Sequence, residues 1–262
     1  MTESVLPFVI PLGVAAALPD TYHANSYLAV VGKAGYWLVD CADGPIPRLG
    51  RVGLDPLNVQ GVILTHFHPD HVYGLPAFLV GLFLLAMERG YAWPSPLPIY
   101  ARPEVLSRAE GLVGLFSGQE WLSRVPLDFR AVTSEVGAPV AETTDFVIDA
   151  APTEHSTPSL AVRFVARSNG RAFVYSSDTL PCAAVETLAR GASLLIHEAT
   201  DSDLGHSRPG AVGLLAGRAG VKNLVLIHYR GTLPAMTHAL AEAGRTFSGP
   251  VELAQEFRPY LW

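Results

Sequence analysis

Seven residues, Thr65-His66-Phe67-His68-Pro69-Asp70-His71, constrain this 262-residue chain more than any other feature. They follow Gln60 to Leu64, a largely apolar run that reads as a buried strand. His66 and His68 alternate, so in extended chain both imidazoles point the same way and can share one metal ion. Pro69 ends the extended run, and the turn can send Asp70 and His71 toward a second metal about 3.5 Å from the first. Neutral imidazoles and a carboxylate suit zinc, and manganese or iron can occupy the same groups. The competing reading is a polar loop that happens to be rich in histidine. Four potential ligands within residues 66–71, directly behind a buried strand, argue against it.

A centre with two metals needs more donors, and three stand just past other predicted strands. His155 follows Asp149 to Glu154, Asp178 follows Phe173 to Ser177, and His228 follows Leu224 to Ile227. In α/β folds the strand end fixes position while the loop beyond stays open, which is where such folds place their sites. Each of the three alone would be an ordinary loop residue. Together with the cluster they complete a candidate set of seven ligands: His66, His68, Asp70, His71, His155, Asp178 and His228.

The rest of the chain predicts an α/β (α+β) protein. Strands are expected at Ser26–Val31, Tyr36–Val39, Gln60–Leu64, Leu97–Tyr100, Phe146–Ala150, Leu160–Ala166, Ala172–Tyr175, Ser193–Ile196, Leu224–Ile227 and Val251–Ala254. Helices are expected at Pro76–Arg89, Pro103–Leu115, Cys182–Arg190, Gly210–Ala219 and Leu233–Ala243. Strands early, a helix-bearing middle and alternating elements afterwards suggest two sheets covered by helices, in one domain over residues 1–262. An apolar fraction of 49% excludes a disordered chain, and the length excludes a small scaffold that needs staples. Cys41 and Cys182 fit no metal or disulfide spacing and read as small buried hydrophobes. The N-terminus shows no basic segment leading into a long apolar core, and Leu75 to Met87 is too short to span a bilayer. No membrane association and a cytoplasmic location are the resulting expectations.

The motif pieces THFHPDH, His155, Asp178 and His228 together resemble the metallo-β-lactamase superfamily, whose fold is a four-layer αββα sandwich with two metals at one edge. The resemblance implies that His66, His68 and His155 hold one metal, that Asp70, His71 and His228 hold the other, and that Asp178 bridges. It extends to the ribonuclease Z branch through Asn25-Ser26-Tyr27-Leu28, Leu38 to Gly44, Tyr175-Ser176-Ser177-Asp178-Thr179, Leu195 to Thr200 (the HEAT motif) and Gly205-His206-Ser207. By that resemblance His206, oriented by Glu198, stabilises or protonates phosphate oxygens, and Asp70 also orients a hydroxide that bridges the metals. The residues between Glu198 and His206 include the turn formers Asp201, Ser202, Asp203 and Gly205, so a plain surface loop is the competing reading.

The expected activity is that of a dinuclear metal-dependent hydrolase, first a phosphodiesterase acting on a small-molecule or short nucleotide substrate. In the ribonuclease Z branch a long arm that grips tRNA is inserted between the third histidine and the bridging aspartate. Here only residues 155–178 separate them, room for two strands and a turn at Ser168-Asn169-Gly170. The chain is also acidic, with a net charge of −6, whereas a tRNA-processing enzyme needs basic contacts to a polyanion. Both points place tRNA 3′ processing second. Lactone, thioester or sulfate-ester hydrolysis follows, and a non-catalytic metal-binding protein ranks last. A homodimer is implied by the resemblance alone. Arg208 could pair with a substrate anion but as a single residue reads as solvated. Tyr91 and Trp93 could line a pocket wall or be packed, and His23, His197 and His238 read as structural or solvated.

Overall fold

A computed structural model describes residues 7–116, 123–202 and 204–262. Residues 1–6 of the N-terminal reading and the turn former Asp203 lie outside the described residues. The strands are β1 (Phe8–Gly13), β2 (Tyr27–Val31), β3 (Tyr36–Val39), β4 (Val59–Ile63), β5 (Leu97–Ala101), β6 (Leu127–Ala131) and β7 (Ala138–Glu142). They continue with β8 (Phe146–Pro152), β9 (Leu160–Ala166), β10 (Ala172–Tyr175), β11 (Leu194–Glu198), β12 (Asn223–Ile227), β13 (Val251–Leu253) and β14 (Tyr260–Leu261). The helices are α1 (Pro45–Arg51), α2 (Pro69–Val72), α3 (Leu75–Arg89), α4 (Pro103–Phe116), α5 (Ala183–Leu188), α6 (Pro209–Arg218) and α7 (Leu233–Thr246).

Two sheets form, each antiparallel at one side and parallel at the other. The first runs β14-β1-β2-β3-β4-β5-β6 and the second β13-β12-β11-β10-β9-β8-β7. Their inner faces interdigitate: Val39, Ile63 and Tyr100 from the first meet Phe164, Phe173, Tyr175 and Ile196 from the second. Burying large side chains of this kind stabilises the sandwich by roughly 1.5–3 kcal/mol each. The outer face of the first sheet is covered by α3 and α4 through Phe78, Leu82 and Val105, and that of the second by α5 to α7 through Val185, Leu215 and Ala243. The order of layers is helix, sheet, sheet, helix, the expected four-layer αββα sandwich.

The predicted strands, the edge strand β13 among them, are found to within one or two residues. β1, β6, β7 and β14 carry weaker signals. β6, β7 and β14 are edge strands, β6 is partly exposed, and β14 is two residues long. β1 and β7 each hold a proline, Pro11 and Pro139, at the place where the pairing register shifts. A bulge frees that position from the need for an N–H, which is how a proline enters a strand that its presence argues against. The segment 155–178 holds β9, β10 and the turn between them, closed by Gly170 in the left-handed region (φ 69°). Residues 69–89 are long and apolar enough to pass for a membrane span, but 61% of the most apolar window is buried inside the protein, where α3 packs on the first sheet. Cys41 and Cys182 are buried and free.

Candidate metal centre

Both sheets deliver side chains to one end of the sandwich. β4 runs into Thr65 and His66, and Pro69 opens the one-turn helix α2 that carries Asp70 and His71. That short helix is seated by backbone bonds from Cys41 N–H to the His71 carbonyl (2.8 Å) and from Gly74 N–H to the Cys41 carbonyl (2.9 Å). A Cβ at Gly74 would lie 2.3 Å from the Asp43 carbonyl oxygen, so the close approach requires glycine there. On the second sheet, His155 follows β8, Asp178 follows β10, Glu198 ends β11 and His228 follows β12. Three residues at these strand ends, Asp40, Ser177 and His228, adopt positive φ values of 65°, 55° and 54°. Each such turn costs on the order of 1–3 kcal/mol; here His228 turns a ring nitrogen to the centre, while Asp40 and Ser177 back the outward nitrogens of His71 and His66.

All seven predicted ligands converge. Asp178 Oδ2 lies 3.7 Å from His66 Nε2, 3.5 Å from His71 Nε2, 3.5 Å from His228 Nε2 and 4.0 Å from His155 Nε2. His68 Nδ1 faces His66 Nε2 at 3.1 Å and His155 Nε2 at 3.2 Å. Asp70 Oδ2 is 3.3 Å from His228 Nε2 and 3.4 Å from His71 Nε2. The donor atoms group as His66, His68, His155 and Asp178, as Asp70, His71 and His228, and, overlapping both, as Asp178, His206 and His228.

The arrangement suits divalent metal ions. Three imidazole nitrogens meeting at 3.1–3.2 Å need a cation, or a shared proton, between their lone pairs. Asp178 Oδ1 and His71 Nε2 are buried without a hydrogen-bond partner, which costs free energy unless something binds them. Burial holds His66 well below, and His68 below, the usual imidazole range, in the neutral form that ligates. His71 is also opposed by burial, yet Asp178 and Asp40 raise it well above its ordinary range. Burial of Asp70 is overcome by His228 and His71, which keep its carboxylate charged. A cation among these oxygens would take the place of the proton that they otherwise draw onto His71.

The ring nitrogens that face away from the centre are also held. His66 Nδ1 is 3.0 Å from Thr65 Oγ1, His71 Nδ1 is 2.8 Å from Asp40 Oδ2, His155 Nδ1 is 3.0 Å from the Gly205 carbonyl, and His228 Nδ1 is 2.7 Å from Thr200 Oγ1. With a metal ion on the inward nitrogen, each of these Nδ1 atoms would carry the ring hydrogen and donate it. Asp40 is the residue that sequence reasoning missed as part of the site. Fully buried, it accepts from Thr65 N–H at 2.8 Å and from the Thr65 hydroxyl at 2.9 Å, besides His71. Its position just past the apolar strand β3 is the same signal that singled out Asp178.

Glu198 and His206 join the centre. His206 Nδ1 lies 3.3 Å from Glu198 Oε1 and 3.9 Å from Asp178 Oδ2. Burial opposes a charge on His206, but Glu198 outweighs it and raises the imidazole above its usual range. Glu198 is fully buried and is fixed by the N–H of Ser207 (2.7 Å) and of Thr200 (2.9 Å), so the surface-loop alternative does not hold for it. Other histidines stand apart. His23 bonds Asp20, His197 Nδ1 donates to the Glu198 carbonyl, and His238 is exposed, 3.6 Å from Asp201. Arg208 is exposed at the start of α6, while Tyr91 and Trp93 pack edge-on at 5.3 Å.

A family model described as "Beta-lactamase superfamily domain" matches residues 38–229. Among curated proteins, the ribonuclease Z of Mycobacterium bovis (strain BCG / Pasteur 1173P2) is 28% identical over 274 residues, covering 94% of this chain and 94% of its own length. Among solved structures, the metallo-beta-lactamase fold protein YhfI from Bacillus subtilis superposes with a TM-score of 0.78 at 22% identity, over 97% of this chain and 99% of that one. The short form of human tRNase Z gives 0.76 at 22% identity, over 97% and 98%. At these identities the structural likenesses speak for the fold.

Proposed function

This chain belongs to the beta-lactamase superfamily and is a metal-dependent hydrolase, and we propose that the bond it breaks is a phosphodiester in a small molecule or a short nucleotide. The observation that carries this reading is His206, held against buried Glu198 at 3.3 Å and drawn toward its protonated form beside the cluster. A phosphodiester brings anionic oxygens and releases an alkoxide, and an imidazolium there answers both.

In this reading His66, His68 and His155 hold one ion, Asp70, His71 and His228 the other, and Asp178 faces both. Zinc suits the donors best, with manganese or iron as alternatives. Two bound cations would neutralise the phosphate and lower the pKa of water toward neutrality. Asp70, kept charged by His71 and His228, accepts a hydrogen bond from the attacking water and orients it. As the water oxygen bonds to phosphorus it gives up a proton to solvent, the opposite P–O bond breaks, and His206 passes its own proton to the departing oxygen. His206 then regains a proton from solvent, and the Glu198 carboxylate balances its charge. Residues 1–262 act as one cytoplasmic domain. A homodimer belongs to the same proposal, supported by the exposed apolar side chains Leu84 and Met87 on α3.

A second reading, tRNA 3′ processing, is favoured by the match to a ribonuclease Z over 94% of both chains. So nearly coextensive a match also takes weight from the short 155–178 interval as an argument against RNA. The test is a panel given to metal-loaded protein: bis-p-nitrophenyl phosphate, short nucleotide diesters, a lactone, a thioester and a 3′-extended tRNA precursor. Turnover of the small diesters is expected. Lactone or thioester turnover without them would overturn the proposal. Efficient precursor cleavage that weakens steeply with salt would move tRNA to first place.

A further inference from the structure

Thr200 stands between two parts of the site that the mechanism treats separately. Its hydroxyl oxygen is 2.7 Å from His228 Nδ1, 2.9 Å from Glu198 Oε2 and 2.7 Å from the His228 carbonyl. His228 Nε2 lies with Asp70 and Asp178 at 3.3 and 3.5 Å; with a metal ion on that nitrogen, Nδ1 carries the ring hydrogen and must find an acceptor. A hydroxyl supplies that acceptor and still has one hydrogen to give, and the carboxylate of Glu198 is the strongest acceptor within its reach. The other oxygen of Glu198 lies 3.3 Å from His206 Nδ1. Hydrogen bonds therefore link His228 through Thr200 to Glu198, and an ion-pair contact of 3.3 Å carries the path on to His206.

We infer that Thr200 is a positioning residue that couples the metal-facing imidazole of His228 to the proton-donating imidazole of His206. Two consequences follow from its single hydroxyl. Accepting from Nδ1 fixes the tautomer of His228 and holds a ring whose backbone sits in the left-handed region (φ 54°). Donating to Oε2 fixes the rotation of the Glu198 carboxylate, so that Oε1 stays turned to His206 and to the Ser207 N–H. The same device recurs across the centre, where the Thr65 hydroxyl donates to Asp40 and lies 3.0 Å from His66 Nδ1. There the carboxylate backs two candidate ligands, whereas Glu198 backs one ligand and one residue outside the seven. Thr200 is thus the point at which metal binding and proton donation are tied together.

The inference rests on the proposed hydrolysis only for its second readout. Thr200→Val keeps the shape and removes the hydroxyl, and Thr200→Ser keeps the hydroxyl. In competition with a chelator, Thr200→Val is expected to bind one of two zinc equivalents about tenfold more weakly, and Thr200→Ser to stay within about threefold of the parent. With diester substrates, Thr200→Val is expected to lose about tenfold more on an alkoxide leaving group than on p-nitrophenolate, which departs without a proton. Melting of the metal-free proteins checks that both variants fold. Unchanged zinc affinity and leaving-group ratio in Thr200→Val would overturn the inference, as would equal losses in Thr200→Ser and Thr200→Val. If the parent hydrolyses no diester, the proposed function fails, while the zinc measurement still decides whether Thr200 positions His228.

Discussion

Asp40 at the end of β3 and Glu198 at the end of β11 are both fully buried, one on each sheet, yet they serve different partners. Asp40 holds His71 directly and His66 through the Thr65 hydroxyl, so everything it orients is a candidate ligand. Glu198 holds His228 through Thr200 and also faces His206, which the proposed reaction uses for its proton. In the proposed reaction the first sheet builds a holder for metal, and the second ties a holder to a proton donor. Burying a carboxylate is costly unless it is fully hydrogen-bonded, and each of these two is bonded to groups that serve the centre.

That contrast can be broken at several points. The largest effect is expected at Asp178, which faces candidate ligands of both sets: Asp178→Ala should lower kcat by about a thousandfold or more, since it removes several kcal/mol of positioning at once. Steady-state kinetics at saturating metal checks this. Next comes His206→Ala, expected to cost about 10²- to 10³-fold on substrates with an alkoxide leaving group and much less on p-nitrophenyl esters. Added zinc should not restore it. Asp40→Asn is expected to weaken metal binding by roughly 10- to 100-fold, and excess metal should restore most of its activity. A shared outcome, with metal rescuing both variants or neither, would erase the difference drawn between the two sheets. The smallest effect is expected for Thr65→Val, which interrupts only the path from Asp40 to His66. A loss in zinc affinity of up to about tenfold, read by chelator competition, would sharpen the comparison.

Much of this centre is legible in the chain because its densest part is contiguous. His66 to His71 declare themselves by spacing, and His155, Asp178 and His228 each follow an apolar strand. Glu198 and His206 emerge through resemblance to a family rather than through any local rule. Asp40 carries the same strand-end signal as Asp178, but it lies 25 residues before Thr65, and only the parallel pairing of β3 with β4 brings them together. Thr65 and Thr200 cannot be picked out in advance, because a threonine after a strand is common and its role depends on which ring nitrogen faces it. In the fold, the inner strands announce themselves as apolar runs. The edge strands β6, β7 and β14 and the proline-bearing β1 do not, since a bulge, an exposed face or a very short run removes the pattern on which such readings depend.

The central claim is a dinuclear phosphodiesterase, and it is tested most directly by titrating metal-free protein with zinc while following hydrolysis of bis-p-nitrophenyl phosphate. Turnover should rise with bound metal and reach its plateau at two equivalents per chain. Two bound equivalents with no diester turnover, or full activity at a single equivalent, would contradict it.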